Sequence, residues 1–142
     1  MENYKGIILK ALQKVVLEQG YQGVLQNRDI HEQSLTHRLA YHLENSDTFI
    51  GYHVDCEYNR HGEDSKINEK GIMFKPDVVI HVRGDDKNNL IMIEAKKYND
   101  SKSEIKREMM RLKKNKDHLS YRYAFLVIFP KEMVTDNSVV EI

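Results

Sequence analysis

The strongest constraint on this chain is a pair of apolar runs divided by a dense cluster of turn formers. Val78-Val79-Ile80-His81-Val82 and Leu90-Ile91-Met92-Ile93 flank Gly84-Asp85-Asp86-Lys87-Asn88-Asn89. Short runs rich in branched apolar residues, bounded by Gly, Asp and Asn, predict strands near 77–83 and 90–96 joined as a β-hairpin. Each strand carries charge at its polar end. Pro76-Asp77 enters the first strand, and Glu94-Ala95-Lys96 closes the second, with Glu94 seventeen positions after Asp77. Side chains alternate along a strand, so Glu94 and Lys96 share a face, about 7 Å apart. Antiparallel pairing can set Asp77 opposite them. Two carboxylates and an ammonium then converge, a set suited to holding a hard divalent cation and activating water against a phosphodiester.

Glu94 is the residue hardest to explain otherwise. It follows four apolar residues, and an unpaired carboxylate there carries a desolvation cost of several kcal/mol. A cation removes that cost, as would an ion pair of Asp77 or Glu94 with Lys96. Asp77 alone would read as a surface residue entering a strand after proline. Lys97 points to the face opposite Lys96 and contributes only electrostatically.

The surrounding pattern fills in the elements. Residues 3–19 read as a helix with Ile7, Ile8, Ala11, Leu12, Val15 and Val16 on one stripe, ended by Gly20. A second helix is expected from about Ile30 to Glu44, with Asp29 as its cap and Leu35, Leu39 and Leu43 at spacing four. Phe49–Tyr58 reads as a first strand, and the polar stretch 59–75 as a long loop. Ser103–Lys116 is a third helix with Ile105, Met109 and Leu112 toward the core. Tyr121–Phe129 is the last main strand, and Val139-Val140 a candidate edge strand.

These motifs in this setting resemble the PD-(D/E)xK nuclease superfamily, the restriction-endonuclease-like fold, over roughly residues 29–130. The resemblance rests on Pro76-Asp77, on Glu94-Ala95-Lys96, on the helix before the hairpin, and on the helix and strand after it. It implies a single α/β domain over residues 1–142, with an αβββαβ core, a mixed central sheet flanked by helices, and an extra N-terminal helix. It implies a metal-dependent nuclease that hydrolyses phosphodiester bonds, DNA above all. Asp77, Glu94 and the Ala95 carbonyl would bind Mg²⁺ (or Mn²⁺), Glu32 would complete the shell, and Lys96 would position the water. Members of the superfamily place a glutamate on the helix that here carries Glu32. Glu32 lies three, seven and eleven positions before Leu35, Leu39 and Leu43, hence on the face expected to pack onto the sheet. Asp29-x-x-Glu32 also fits a capping box, which would hold Glu32 at the helix start instead.

Charge adds a surface to this site. Net charge is zero, but nine basic residues against three acids fall between Lys96 and Lys116, and seven acids against two bases between Glu44 and Glu69. Arg107, Arg111 and Lys114 recur at i, i+4 and i+7, opposite much of the core face, as one basic ridge for a nucleic-acid backbone. Arg60 is a further candidate phosphate contact. Asp55 and Glu57 share a face of the first strand, and His81 shares one with Asp77. A duplex has two strands and one such site cuts one of them, so a homodimer is the expected working unit. The alternative function is a binding module, a nuclease-like fold that grips nucleic acid or protein without cutting. A structural protein whose acids form ion pairs is the second rival.

Composition narrows the class. The 142 residues, 40% hydrophobic and 31% charged, suit one ordinary soluble domain. No apolar run approaches the ~20 residues that cross a bilayer, so no membrane partner is expected. The single cysteine, Cys56, excludes an internal disulfide and fits a cytoplasmic setting. His53, Cys56, His61 and His81 lack the paired spacing of a structural zinc site. No phosphate-binding glycine motif is present.

Overall fold

The computed structural model describes residues 2–26, 33–57, 60–61, 64–65 and 75–142. In chain order the described elements are α1 (Tyr4–Val16), α2 (Tyr21–Gln26), α3 (Gln33–Glu44), β1 (His53–Cys56), β2 (Arg60–His61), β3 (Asp64–Ser65), β4 (Val78–His81), β5 (Ile91–Lys97), α4 (Lys102–His118), β6 (Tyr123–Phe129) and β7 (Val139–Glu141). The architecture is α/β. Five strands form a mixed sheet in the order β1-β4-β5-β6-β7, and β2 and β3 form a separate two-stranded sheet.

The hairpin expected at the centre forms with β4 antiparallel to β5, Val78 opposite Ile93 and Ile80 opposite Ile91. Its turn begins at Val82–Asp85, with Gly84 at φ +75°, a conformation glycine adopts without steric cost. Asp85 caps the helical turn at Asp86–Asn88 by accepting the Lys87 amide at 2.9 Å. Strand β4 is shorter than the expected 77–83 at both ends, and β5 is shifted one residue along from the expected 90–96. Arg83 belongs to the turn, and Asp77 precedes the ladder and uses its carboxylate there, accepting the Ala95 amide at 2.8 Å.

The alternation of β4 and β5 divides the interior in two. Val78, Ile80, Ile91, Ile93 and Ala95 pack with Ile8, Leu12, Leu39 and Leu43 from α1 and α3. Val79 and Met92 pack with Leu112, Leu119, Ala124 and Leu126 on the α4 side. Strand β5 continues through α4 into β6, which pairs with it in parallel from Ile91–Tyr123 to Lys97–Phe129. Parallel neighbours need such a crossover. Edge strand β7 then closes antiparallel on β6.

Three boundaries differ from the sequence pattern for local reasons. Helix α1 ends at Val16 because the Leu17 amide closes on Gln13 and the chain turns through Gly20 at φ +88°. Helix α2 forms between the two expected helices, with Tyr21 Oη donating to the Pro130 carbonyl at 2.6 Å. The strand expected over Phe49–Tyr58 is shorter, because Asp47–Phe49 is a helical turn and Glu57 takes a positive φ of 50°. Asp29, Glu32 and most of the stretch 59–75 lie outside the described residues.

Candidate functional site

The two motifs meet on the α4 side of the sheet. Val78 is the register partner of Ile93, so the residues just outside that pair, Asp77 and Glu94, face one another. Each carboxyl group perturbs the ionisation of the other. Glu94 is 5% exposed, at the point where β5 passes beneath α4. Burial pushes its carboxyl well above the ordinary glutamate value of 4.5, and the Asp77 charge beside it raises it further. Burial also raises Asp77 above 3.8, while the Glu94 and Ala95 hydrogen bonds and the Lys96 charge pull it down. Of the two, Glu94 is shifted further toward its neutral form. Two carboxyls this close cannot both ionise cheaply.

One atom in this pair is unprovided for. Among the described residues no donor meets Glu94 Oε1, although it is fully buried. Buried polar atoms are nearly always hydrogen-bonded. A buried pair of carboxyl groups with one orphaned oxygen is an environment that a divalent cation would complete, since it would supply the missing partner. The donor set thus fits Mg²⁺ or Mn²⁺. No group of three or more His, Cys, Asp and Glu side chains is gathered for an ion among the described residues, and a full shell would draw also on main chain, water or Glu32.

Lys96 emerges on the same face as Glu94, its side chain 26% exposed and its Nζ 3.9 Å from Glu108 Oε1. Glu108 belongs to α4 and is held by Arg111, whose guanidinium donates to it at 3.1 Å. The charge of Arg111 reaches Glu94 and favours its ionised form. Helix α4 therefore lays an acid and a base over the pair supplied by the hairpin. In the sequence Glu108 is one of three acids in a basic block. Its position three after Ile105 and four before Leu112 was the signal that it faces inward.

The other expected residues divide. Arg107 and Lys114 lie exposed on the outer side of α4, as the ridge requires. Arg111 is exposed too but turns to Glu108, so it lies at the margin between ridge and site. Arg60 opens β2, with its side chain outside the described residues. Glu32 is likewise outside them. The described stripe of α3, Leu35, Leu39 and Leu43, packs on the α1 side of the sheet. The start of α3 reaches the right end of the sheet, where Gln33 donates to Glu57 at 2.6 Å and the Glu57 amide to the Asp77 carbonyl at 3.1 Å.

His81 does not join Asp77. It is buried at the far end of β4, with Nε2 2.8 Å from Asp55 Oδ2. Arg83 grips the same carboxylate through two nitrogens, and its hydrogen bond is the main cause that holds Asp55 below the ordinary value. Asp55 is thus committed to a separate ion cluster. Cys56 is partly buried, and burial raises its thiol to about 11, far from a reactive thiolate. Comparison with family models, curated proteins and solved structures finds no match to this chain.

Proposed function

We propose that the chain is a divalent-cation-dependent nuclease of the PD-(D/E)xK type, acting on phosphodiester bonds and on DNA above all. The observation that carries this reading is the buried Asp77–Glu94 pair, with an orphaned carboxyl oxygen and Lys96 on the same face. The succession α3, β1, β4, β5, α4, β6 also supports a restriction-endonuclease-like αβββαβ core around it.

Asp77 and Glu94, with the Ala95 carbonyl and Glu32, would hold the ion. A bound Mg²⁺ or Mn²⁺ supplies Lewis acidity at the phosphoryl oxygen and lowers the pKa of bound water. The chain's own groups do the rest. Lys96 presents an ammonium beside the carboxyl pair, where it orients the attacking water and offsets charge that builds on the phosphate. Arg111 adds a second positive charge at the margin. Arg107 and Lys114 hold the flanking backbone by charge alone, without reading sequence.

The direct test is cleavage of supercoiled plasmid and of short duplexes with Mg²⁺, with Mn²⁺ and with EDTA. Cutting is expected only with the divalent ions, and Lys96→Ala should abolish it. Cutting that persists in EDTA or in Lys96→Ala contradicts the mechanism. Tight DNA binding with no cleavage under any ion points instead to a non-cleaving binding module.

A further inference from the structure

Three acids of α4 differ in where they lie. Glu104 and Asp117 are exposed, whereas Glu108 is partly buried, its side chain 15% exposed. An apolar residue at 108 would simply extend the Ile105–Met109–Leu112 face. A carboxylate there instead meets two cations: Arg111 donates to both carboxylate oxygens, at 3.1 and 3.4 Å, and Lys96 Nζ stands 3.9 Å from Oε1.

This geometry has a clear consequence for Lys96. Its ammonium ends a flexible four-carbon stem whose rotamers must be ordered before it can act. Arg111, one turn beyond Glu108 on the same helix, fixes the Glu108 carboxylate from the outer side. The carboxylate in turn offers a fixed negative point to Lys96 on the inner side. A group held in place before substrate arrives pays no ordering cost at the reaction step.

We propose that Glu108 is a positioning residue for the Lys96 ammonium, with Arg111 as its anchor. It acts through Lys96 and touches neither ion nor phosphate. This inference rests on the nuclease reading, since it concerns the same site.

The experiment compares wild type with Glu108→Gln and Glu108→Asp, all full-length, in single-turnover cleavage of a short duplex with Mn²⁺. Calorimetric Mn²⁺ titration and thermal melting accompany it. In Glu108→Gln the cleavage rate at saturating DNA should fall roughly a hundredfold, the scale expected when a working group is displaced by about an ångström. The DNA concentration for half-maximal rate and the Mn²⁺ affinity should stay at wild-type values. Glu108→Asp, which keeps the charge, should recover most of the rate. Wild-type cleavage by Glu108→Gln would overturn the inference and leave the nuclease reading standing. Loss of Mn²⁺ binding would overturn it too, because it would make Glu108 a ligand. Equal rate losses in both variants with lowered melting would assign Glu108 to docking of α4. A wild type that neither binds Mn²⁺ nor cuts would remove the nuclease reading and this inference with it.

Discussion

Glu94 and Asp77 act on the stability of the protein as well as on its chemistry. Both carboxyls are raised above their ordinary values, burial being the main cause for each. A group whose pKa rises on folding stabilises the folded state below its unfolded value, and that contribution is lost as pH climbs through the folded value. For Glu94 the loss sets in above 4.5. Without a cation, this pair therefore weakens the fold toward neutral pH, against Asp55 and Glu18. Hydrogen bonds from Arg83 and Arg38 lower those two, so their support is lost as pH falls. Glu94→Gln keeps the shape and removes the ionisable group. In the metal-free protein at about pH 8 it should be more stable than wild type, by on the order of 1–3 kcal/mol, the usual cost of an unsatisfied buried polar group. The difference should close toward pH 4.5, read from urea melts at the two pH values. A less stable Glu94→Gln at the higher pH would contradict this account. The pair was legible because strand alternation and a short turn leave few places for Asp77 and Glu94. Glu108 was not, because attention to the apolar period of α4 passes over an acid lying within it.

At the scale of elements, α4 matches its expected span within two residues at each end and divides sharply into two faces. Expected over Ser103–Lys116, it runs from Lys102 to His118, capped by the Ser101 hydroxyl, which accepts the Glu104 amide at 3.2 Å. Its inner side carries Leu112 to the core and Glu108 to the site, and its outer side carries Arg107 and Lys114. A charge-only grip should show as salt dependence, with about 0.9 in the slope of log affinity against log salt for each phosphate neutralised. Replacing Arg107 and Lys114 with glutamine should flatten the slope measured by fluorescence anisotropy and leave Mn²⁺ affinity alone. An unchanged slope would remove the ridge. Helix α2 shows what local pattern cannot carry. At six residues with Gly23 inside it is too short for a period, and isolated helices of that length are not stable in water. It exists because Tyr21 and Leu25 bury against the rest of the core and Tyr21 bonds to Pro130. The edge strand at Val139–Val140 was readable from its β-branched pair alone, and it closes on Leu126 and Val127.

At the scale of the whole molecule, the sheet separates two tasks. Helices α1 and α3 cover one face with an apolar layer, while α4 covers β5 and β6 on the other and meets the acids that β4 and β5 deliver there. No described helix is long and apolar enough to cross a membrane. The order of strands follows from the hairpin and the single crossover, both readable from the sequence. Which face each helix covers was not, because a helical stripe states that it packs and not on which side. The Leu35–Leu39–Leu43 stripe is buried as expected, on the α1 side. The central claim is that Asp77 and Glu94 form a divalent-cation site. The measurement closest to it is anomalous diffraction from Mn²⁺-soaked crystals of wild type and of Glu94→Gln. The account predicts a manganese peak within bonding distance of both carboxyl groups in wild type and none there in Glu94→Gln. A wild-type map with Asp77 and Glu94 still bonded only to each other at saturating Mn²⁺ would contradict it.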